Sequence, residues 1–249
     1  MTIMAQEVFK RIEKKYLLDK KSYDALVVRL TEYMEKDKFF DSEISNLYFD
    51  TPDFRLIRTS IEKPVFKEKV RLRSYGVPNQ DSNVFFEIKR KFKGVVYKRR
   101  SVMPLKDAVD FMNGEEIPEH NPQIEKELKW ALNYYPDLEP RMYISYHRQS
   151  YCGKEDKSLR ITFDDKIMFR TYDLSLDKGI YGRELLERGQ RIMEVKISGS
   201  MPLWFSHLLD ELKIYPASYS KYGTAYQTLL RENSLGTSYC ETLHHTKTA

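Results

Sequence analysis

Polar and apolar residues take turns along Lys69-Val70-Arg71-Leu72-Arg73-Ser74-Tyr75. In an extended strand this puts Lys69, Arg71 and Arg73 on one face and Val70 and Leu72 on the other. The same period of two recurs and predicts strands over Glu7–Leu18, Ile44–Asp50, Val65–Tyr75, Val84–Phe92, Val95–Met103, Arg141–Cys152, Ser158–Asp165 and Arg191–Ser198, with a brief stretch at Ile167–Arg170. Lys93-Gly94 predicts a tight turn, so Val84–Phe92 and Val95–Met103 form a hairpin. Between the strands the period lengthens. Asp19 can cap a helix from Lys20 whose apolar stripe runs through Tyr23, Leu26, Val27, Leu30, Tyr33 and Met34. Further helices are expected over Leu105–Met112, Ile124–Tyr135, the segment opened by Pro202, and Tyr219–Leu230. Helices are too few between strands for a parallel series, so the expected class is α+β, antiparallel with flanking helices.

The 249 residues suffice for a buried core, and no linker divides them. One domain over 1–231 is expected, followed by a loose Ser/Thr/His-rich tail over 232–249 in which His244-His245 meets solvent rather than metal. Charged residues reach 32% against 41% hydrophobic, and the net charge of +5 favours anionic partners without naming one. Position says more than the sum: the polar faces of the strands carry Arg and Lys rather than Thr, Ser and Asn. Those faces can meet solvent around a sandwich core. Alternatively they turn inward, where cations crowded in the bore of an eight-stranded barrel require a polyanion, and the amphipathic helices cover the barrel's outer wall. Glu13, Glu87, Glu194 and Asp164 can offset these cations or hold a hard divalent ion through oxygen; for Glu13 and Glu87 a salt bridge is an equal alternative. Basic residues spread over many strands do not suit a nucleic-acid groove. Two cysteines, Cys152 and Cys240, and no apolar leader or bilayer-length run lead to the expectation of a cytoplasmic protein without a membrane segment. Walker-type glycines and a Ser/His/Asp arrangement are missing.

A set of ordered motifs, from Phe9-Lys10-Arg11-Ile12-Glu13-Lys14-Lys15-Tyr16 through Asn46-Leu47-Tyr48-Phe49-Asp50-Thr51, Lys69-Val70-Arg71-Leu72-Arg73, Phe86-Glu87-Ile88-Lys89, Tyr146-His147-Arg148 and Leu159-Arg160-Ile161-Thr162-Phe163-Asp164 to Met193-Glu194-Val195-Lys196, resembles the VTC domain. This is the polyphosphate polymerase domain of the vacuolar transporter chaperone complex, within the triphosphate tunnel metalloenzyme superfamily. The resemblance runs from about Glu7 to Leu230. It implies a closed antiparallel eight-stranded β-barrel whose basic bore grips ATP and inorganic polyphosphate or triphosphate, with Mn²⁺ or Mg²⁺ as cofactor. Position by position, it implies phosphate contacts for Lys15, Arg71, Arg73, Lys89, Lys98, Arg148, Arg160 and Lys196, with Arg100 on the same strand face as Lys98. Lys221 resembles a lysine that reaches the tunnel from the C-terminal helix, a solvated helix lysine being the alternative, and Glu194 resembles the metal-binding glutamate. The implied reaction moves the terminal phosphate of ATP onto a growing polyphosphate chain. Triphosphate hydrolysis and binding without turnover are the alternatives. Arg11-Ile12-Glu13-Lys14-Lys15 departs from the E-x-E-x-K of the hydrolase branch by placing Arg first, which favours the polymerase branch. The SPX sensor domain and membrane helices of the eukaryotic subunits have no counterpart in this sequence, so their control and export functions are not expected.

Overall fold

The period-two segments become one antiparallel sheet in the computed structural model, which describes residues 11–232 apart from 94 and 136. Its nine strands are β1 (Arg11–Leu18), β2 (Met34–Asp50), β3 (Phe66–Tyr75), β4 (Asn83–Phe92), β5 (Val95–Pro104), β6 (Glu139–Gly153), β7 (Arg160–Arg170), β8 (Arg183–Glu184) and β9 (Arg191–Ser198). Six helices join them: α1 (Lys20–Leu30), α2 (Arg55–Ile61), α3 (Leu105–Met112), α4 (Pro122–Tyr134), α5 (Leu203–Glu211), and α6 over 221–232. The expected tail lies outside the described residues except for its first position, residue 232, which is in α6. His244 and His245 lie outside them too.

The strand order is β1-β9-β7-β6-β2-β3-β4-β5, with β8 added beside β7. This path has the expected eight strands, but the barrel is not closed: among the described residues β1 and β5 do not pair. A different partner occupies the outer edge of β1. Tyr16 forms a bridge with Pro216, and the Ala217 N–H donates to the Lys15 carbonyl at 2.7 Å. The sheet nevertheless curls, because side chains from β1 and from β3, β4 and β5 line one cavity.

The apolar faces are covered from outside by helices. Leu72, Phe86 and Met103 pack with Leu105 and Phe111 of α3 and Leu128 of α4. Tyr16, Phe163 and Val195 pack with Leu26 of α1 and Phe205 and Leu208 of α5. A third cluster fills one end of the inner face, where Ile44, Met142, Ile144, Ile167 and Phe169 meet Tyr222, Ala225 and Tyr226 of α6. A bulge makes this possible. Between His147↔Asp165 and Ser145↔Met168 the ladder gains one residue on β7, where Lys166 has a φ of 46°. The extra residue reverses the alternation, so Arg160, Thr162 and Asp164 share the inner face with Ile167 and Phe169.

Three expected boundaries move. Met34 leaves the helix stripe to pair with Gly153, because β6 is long enough to offer a partner, and β2 starts ten residues before Ile44. Ser158–Asp165 and Ile167–Arg170 join into the single strand β7 across the bulge. The long polar connection after residue 171 contains a 3-10 turn at Leu176–Lys178 and β8.

Candidate functional site: a cationic inner face

Register alone gathers the charged residues. Reading across the ladders, Lys15 pairs with Glu194, Glu194 with Thr162, Lys196 with Arg160, and Arg148 with Asp164. On the other side Tyr48 pairs with Arg71, Arg71 with Glu87, Glu87 with Arg100, and Lys89 with Lys98. All twelve strand-borne residues expected from the sequence therefore share one face of the sheet, and Lys221 reaches it from α6.

Two buried carboxylates organise the cations. Glu87, its side chain 2% exposed, accepts Arg71 Nε and Nη2 on Oε2 at 2.7 Å and pairs with Lys98 at 2.7 Å, with Arg73 Nε 3.9 Å away. Burial would push its carboxyl up, but Arg71, Arg73 and Lys98 hold it at about 2. Asp164, fully buried, accepts Arg148 Nε and Nη2 at 2.6 and 2.7 Å and also binds Lys221 Nζ. Burial opposes its ionisation, yet Lys221 and Arg148 keep it below the usual carboxylate range. Both carboxylates are ion-pair partners that aim guanidinium groups.

Glu194 is placed differently. Lys196 Nζ lies 3.0 Å from its Oε1, and against burial the fields of Lys196, Lys15, Arg148 and Lys221 hold its carboxyl well below the ordinary value. Glu13 sits on the adjacent strand opposite Lys196, with Lys15 Nζ at 3.8 Å. Among the described residues no three His, Cys, Asp or Glu side chains converge as a metal cage. Two carboxylates on neighbouring strands, with no nitrogen or sulfur donor, are the oxygen donors that a hard divalent ion would use.

α6 is fixed by the buried Asp50, which accepts the N–H groups of Thr51, Leu56 and Ile57 and the Tyr222 hydroxyl at 2.8–3.0 Å. Tyr222 stacks on Tyr48 at 4.6 Å, and this anchors the neighbouring Lys221 against Asp164. Lys221 is thus buried against the inner face and paired with Asp164 rather than a solvated helix lysine. The turn before α6 also enters the site: Lys15 Nζ donates to the Tyr219 carbonyl and Lys69 Nζ to Ser220 Oγ, each at 3.0 Å.

A cavity of about 570 Å³ opens beside this face, lined by Glu13, Lys15, Lys63, Lys67, Lys69, Lys89, Lys91 and the turn at Ser218–Ser220. Arg71, Arg73, Arg148 and Glu194 are not among its lining residues: Arg71 and Arg73 lie further along β3, while Arg148 and Glu194 are on β6 and β9 of the same face. Arg160 and Arg100 are more peripheral. Arg160 is 53% exposed and 3.8 Å from Asp37, while Arg100 lies over the Phe85 ring at 5.2 Å.

Lys69, Lys67, Lys91 and Tyr48 belong to this face as well, beyond the contacts expected from sequence. The three lysines were legible as members of the same alternating rows. Tyr48 carried no such signal, since only the fold brings Arg71 Nη1 within 3.1 Å of its hydroxyl. Burial alone would raise this phenol; Arg71, Lys69 and Arg73 bring it down to about 8. Lys69 and Lys98 are also held at about 8, in each case chiefly by burial.

Comparison with known proteins identifies the family and a shared fold. The VTC domain family model matches residues 10–230. No curated protein sequence matches the chain. A candidate adenylate cyclase from Bacillus halodurans shares the fold with a TM-score of 0.52 at 16% identity, over 84% of this chain and 93% of its own. A candidate adenylyl cyclase from Hippeastrum, described as having a dominant triphosphatase activity, aligns at 15% identity over 88% of this chain and 96% of its own, with a TM-score of 0.48.

Proposed function

The chain belongs to the VTC family of triphosphate tunnel proteins, and on that premise we propose that it is a polyphosphate polymerase that uses ATP as phosphate donor. The observation that carries the reading is the length of the cationic row. On β3 alone Lys67, Lys69, Arg71 and Arg73 share the face, spanning about 20 Å at about 3.4 Å per residue. Lys89, Lys91 and Lys98 continue beside them. This is more than three phosphates joined through shared oxygens can cover, and it suits a longer chain.

Phosphoryl transfer asks the protein for position and charge compensation rather than covalent chemistry. Arg71 and Arg148, held by Glu87 and Asp164, are donors fixed before the ligand arrives, so little reorganisation accompanies charge movement. In the reaction a terminal oxygen of the polyphosphate chain bonds to the γ-phosphorus of ATP, and the bond to the β,γ-bridging oxygen breaks with that electron pair, leaving ADP. Glu194, joined by Glu13, would hold a divalent ion. When bound, that ion supplies charge neutralisation on the phosphate oxygens.

Two outcomes test the reading. Long-chain polyphosphate should bind at least about tenfold more tightly than tripolyphosphate, since each additional charge-assisted contact contributes about 1.5–3 kcal/mol. The double substitution Lys67→Ala and Lys91→Ala should narrow that gap in isothermal titration. Equal affinity for the two ligands would argue for a triphosphate site.

The second outcome is a pH dependence. Lys69 and Lys98, held at about 8, are protonated below that pH, and a bound polyanion favours the ammonium forms. Tyr48, also at about 8, becomes anionic above it and opposes the ligand. All three effects have the same sign. Tripolyphosphate affinity should be greatest below pH 8 and fall as pH rises through it, with net proton uptake on binding in buffers of different ionisation enthalpy. An affinity that rises through pH 8 would contradict this.

A further inference from the structure

Beside the cavity mouth the sheet carries a patch that the phosphate face does not use. Phe66, Phe92 and Val95 are successive partners across β3, β4 and β5, on the face opposite Lys67 and Lys91, and Tyr97 follows Val95 on the same face. Trp130 and Tyr134 of α4 stack at 5.1 Å and share with Phe66 the wall of a cleft of about 300 Å³. These six side chains are each 45–55% exposed. Contiguous apolar surface of this kind marks an interaction site rather than a face that meets water alone.

Charge narrows the choice of partner. Lys93 lies over the Phe92 ring at 5.5 Å, and Lys63 and Lys91 line the adjacent cavity, whereas Arg90, over Trp130 at 5.5 Å, is already paired with Glu68 and Glu127. A second copy pairing on the edge of β5, which has no strand partner among the described residues, would bring Lys98, Arg99 and Arg100 near their own duplicates, where like charges repel. The fitting partner is apolar and anionic together. We propose that this patch docks the protein on an anionic lipid bilayer. Trp130, Tyr134 and Tyr97 rest in the headgroup layer, as amphipathic rings do, and the surrounding cations meet lipid phosphates. Docking in this way leaves the phosphate cavity opening at the membrane surface.

Sedimentation of the full chain with vesicles tests this without any turnover, so the result is independent of the polymerase reading. The protein should pellet with vesicles of phosphatidylcholine mixed with phosphatidylserine, not with phosphatidylcholine alone, and added salt should weaken the binding. Phe92→Ser and Trp130→Ser should each lower the partition coefficient about tenfold, the effect of withdrawing one large apolar side chain from lipid, with circular dichroism and tripolyphosphate affinity unchanged. Failure to pellet, equal pelleting on neutral vesicles, or unaltered partition of both variants would overturn the proposal. So would a concentration-dependent dimer in sedimentation velocity that the same substitutions abolish, since the patch would then belong to a second copy.

Discussion

Asp164→Ala is expected to cost about 3–5 kcal/mol of folding stability, the range for stripping the partner from a buried charge. Asp164 is fully buried and is shared by Arg148 and Lys221, whose side chains are 15% and 13% exposed. Without it two largely buried cations lose their shared partner, and neither has another carboxylate within 4 Å among the described residues. Urea denaturation measures the loss. The same variant separates a structural ion pair from a ligand site, because a polyanion can take the place of the missing carboxylate. Saturating tripolyphosphate should therefore restore more stability to the variant than it adds to the parent. A loss below about 1 kcal/mol, or an equal ligand effect on both proteins, would show that Arg148 and Lys221 do not form a phosphate grip.

Arg71→Ala should reduce turnover of ATP by about 100- to 1000-fold, the scale seen when one preorganised donor to a developing charge is removed. Its guanidinium reaches Glu87 and the Tyr48 hydroxyl, so its position is set before any ligand binds. The fold should survive, since Glu87 keeps Lys98 at 2.7 Å and Arg73 at 3.9 Å. The measurement is ADP formation in parallel with thermal unfolding. A large loss of activity with a cooperative melt close to that of the parent is expected; near-normal turnover would remove Arg71 from the chemistry.

The local pattern revealed much of this face. Alternation in Lys69–Arg73, Glu87–Lys91 and Glu194–Lys196 was sufficient to place those side chains together, because the strand period fixes facing without knowledge of partners. Long-range pairing was harder to read. Nothing in Tyr215-Pro216-Ala217 announces that it will occupy the edge of β1, and that contact stands where barrel closure was expected. The bulge at Lys166 was equally silent, since no glycine marks its positive φ. It explains why one strand looked like two, and why the cationic half of the inner face gives way to an apolar plug. The start of β2 was hidden for another reason: Glu35, Lys36, Lys38 and Phe39 are exposed, so burial imposes no alternation there. Glu87 could be read as a metal ligand or a salt-bridge partner from sequence. In the structure it pairs with three basic neighbours, Arg71, Arg73 and Lys98.

The most direct test of the tunnel reading is incubation of the purified full chain with ATP and Mn²⁺, with gel separation of long polyphosphate from free phosphate and short chains. Accumulation of long chains in step with ADP is the expected result. Release of free phosphate without chain growth would contradict polymerase activity and leave the cationic face to triphosphate hydrolysis.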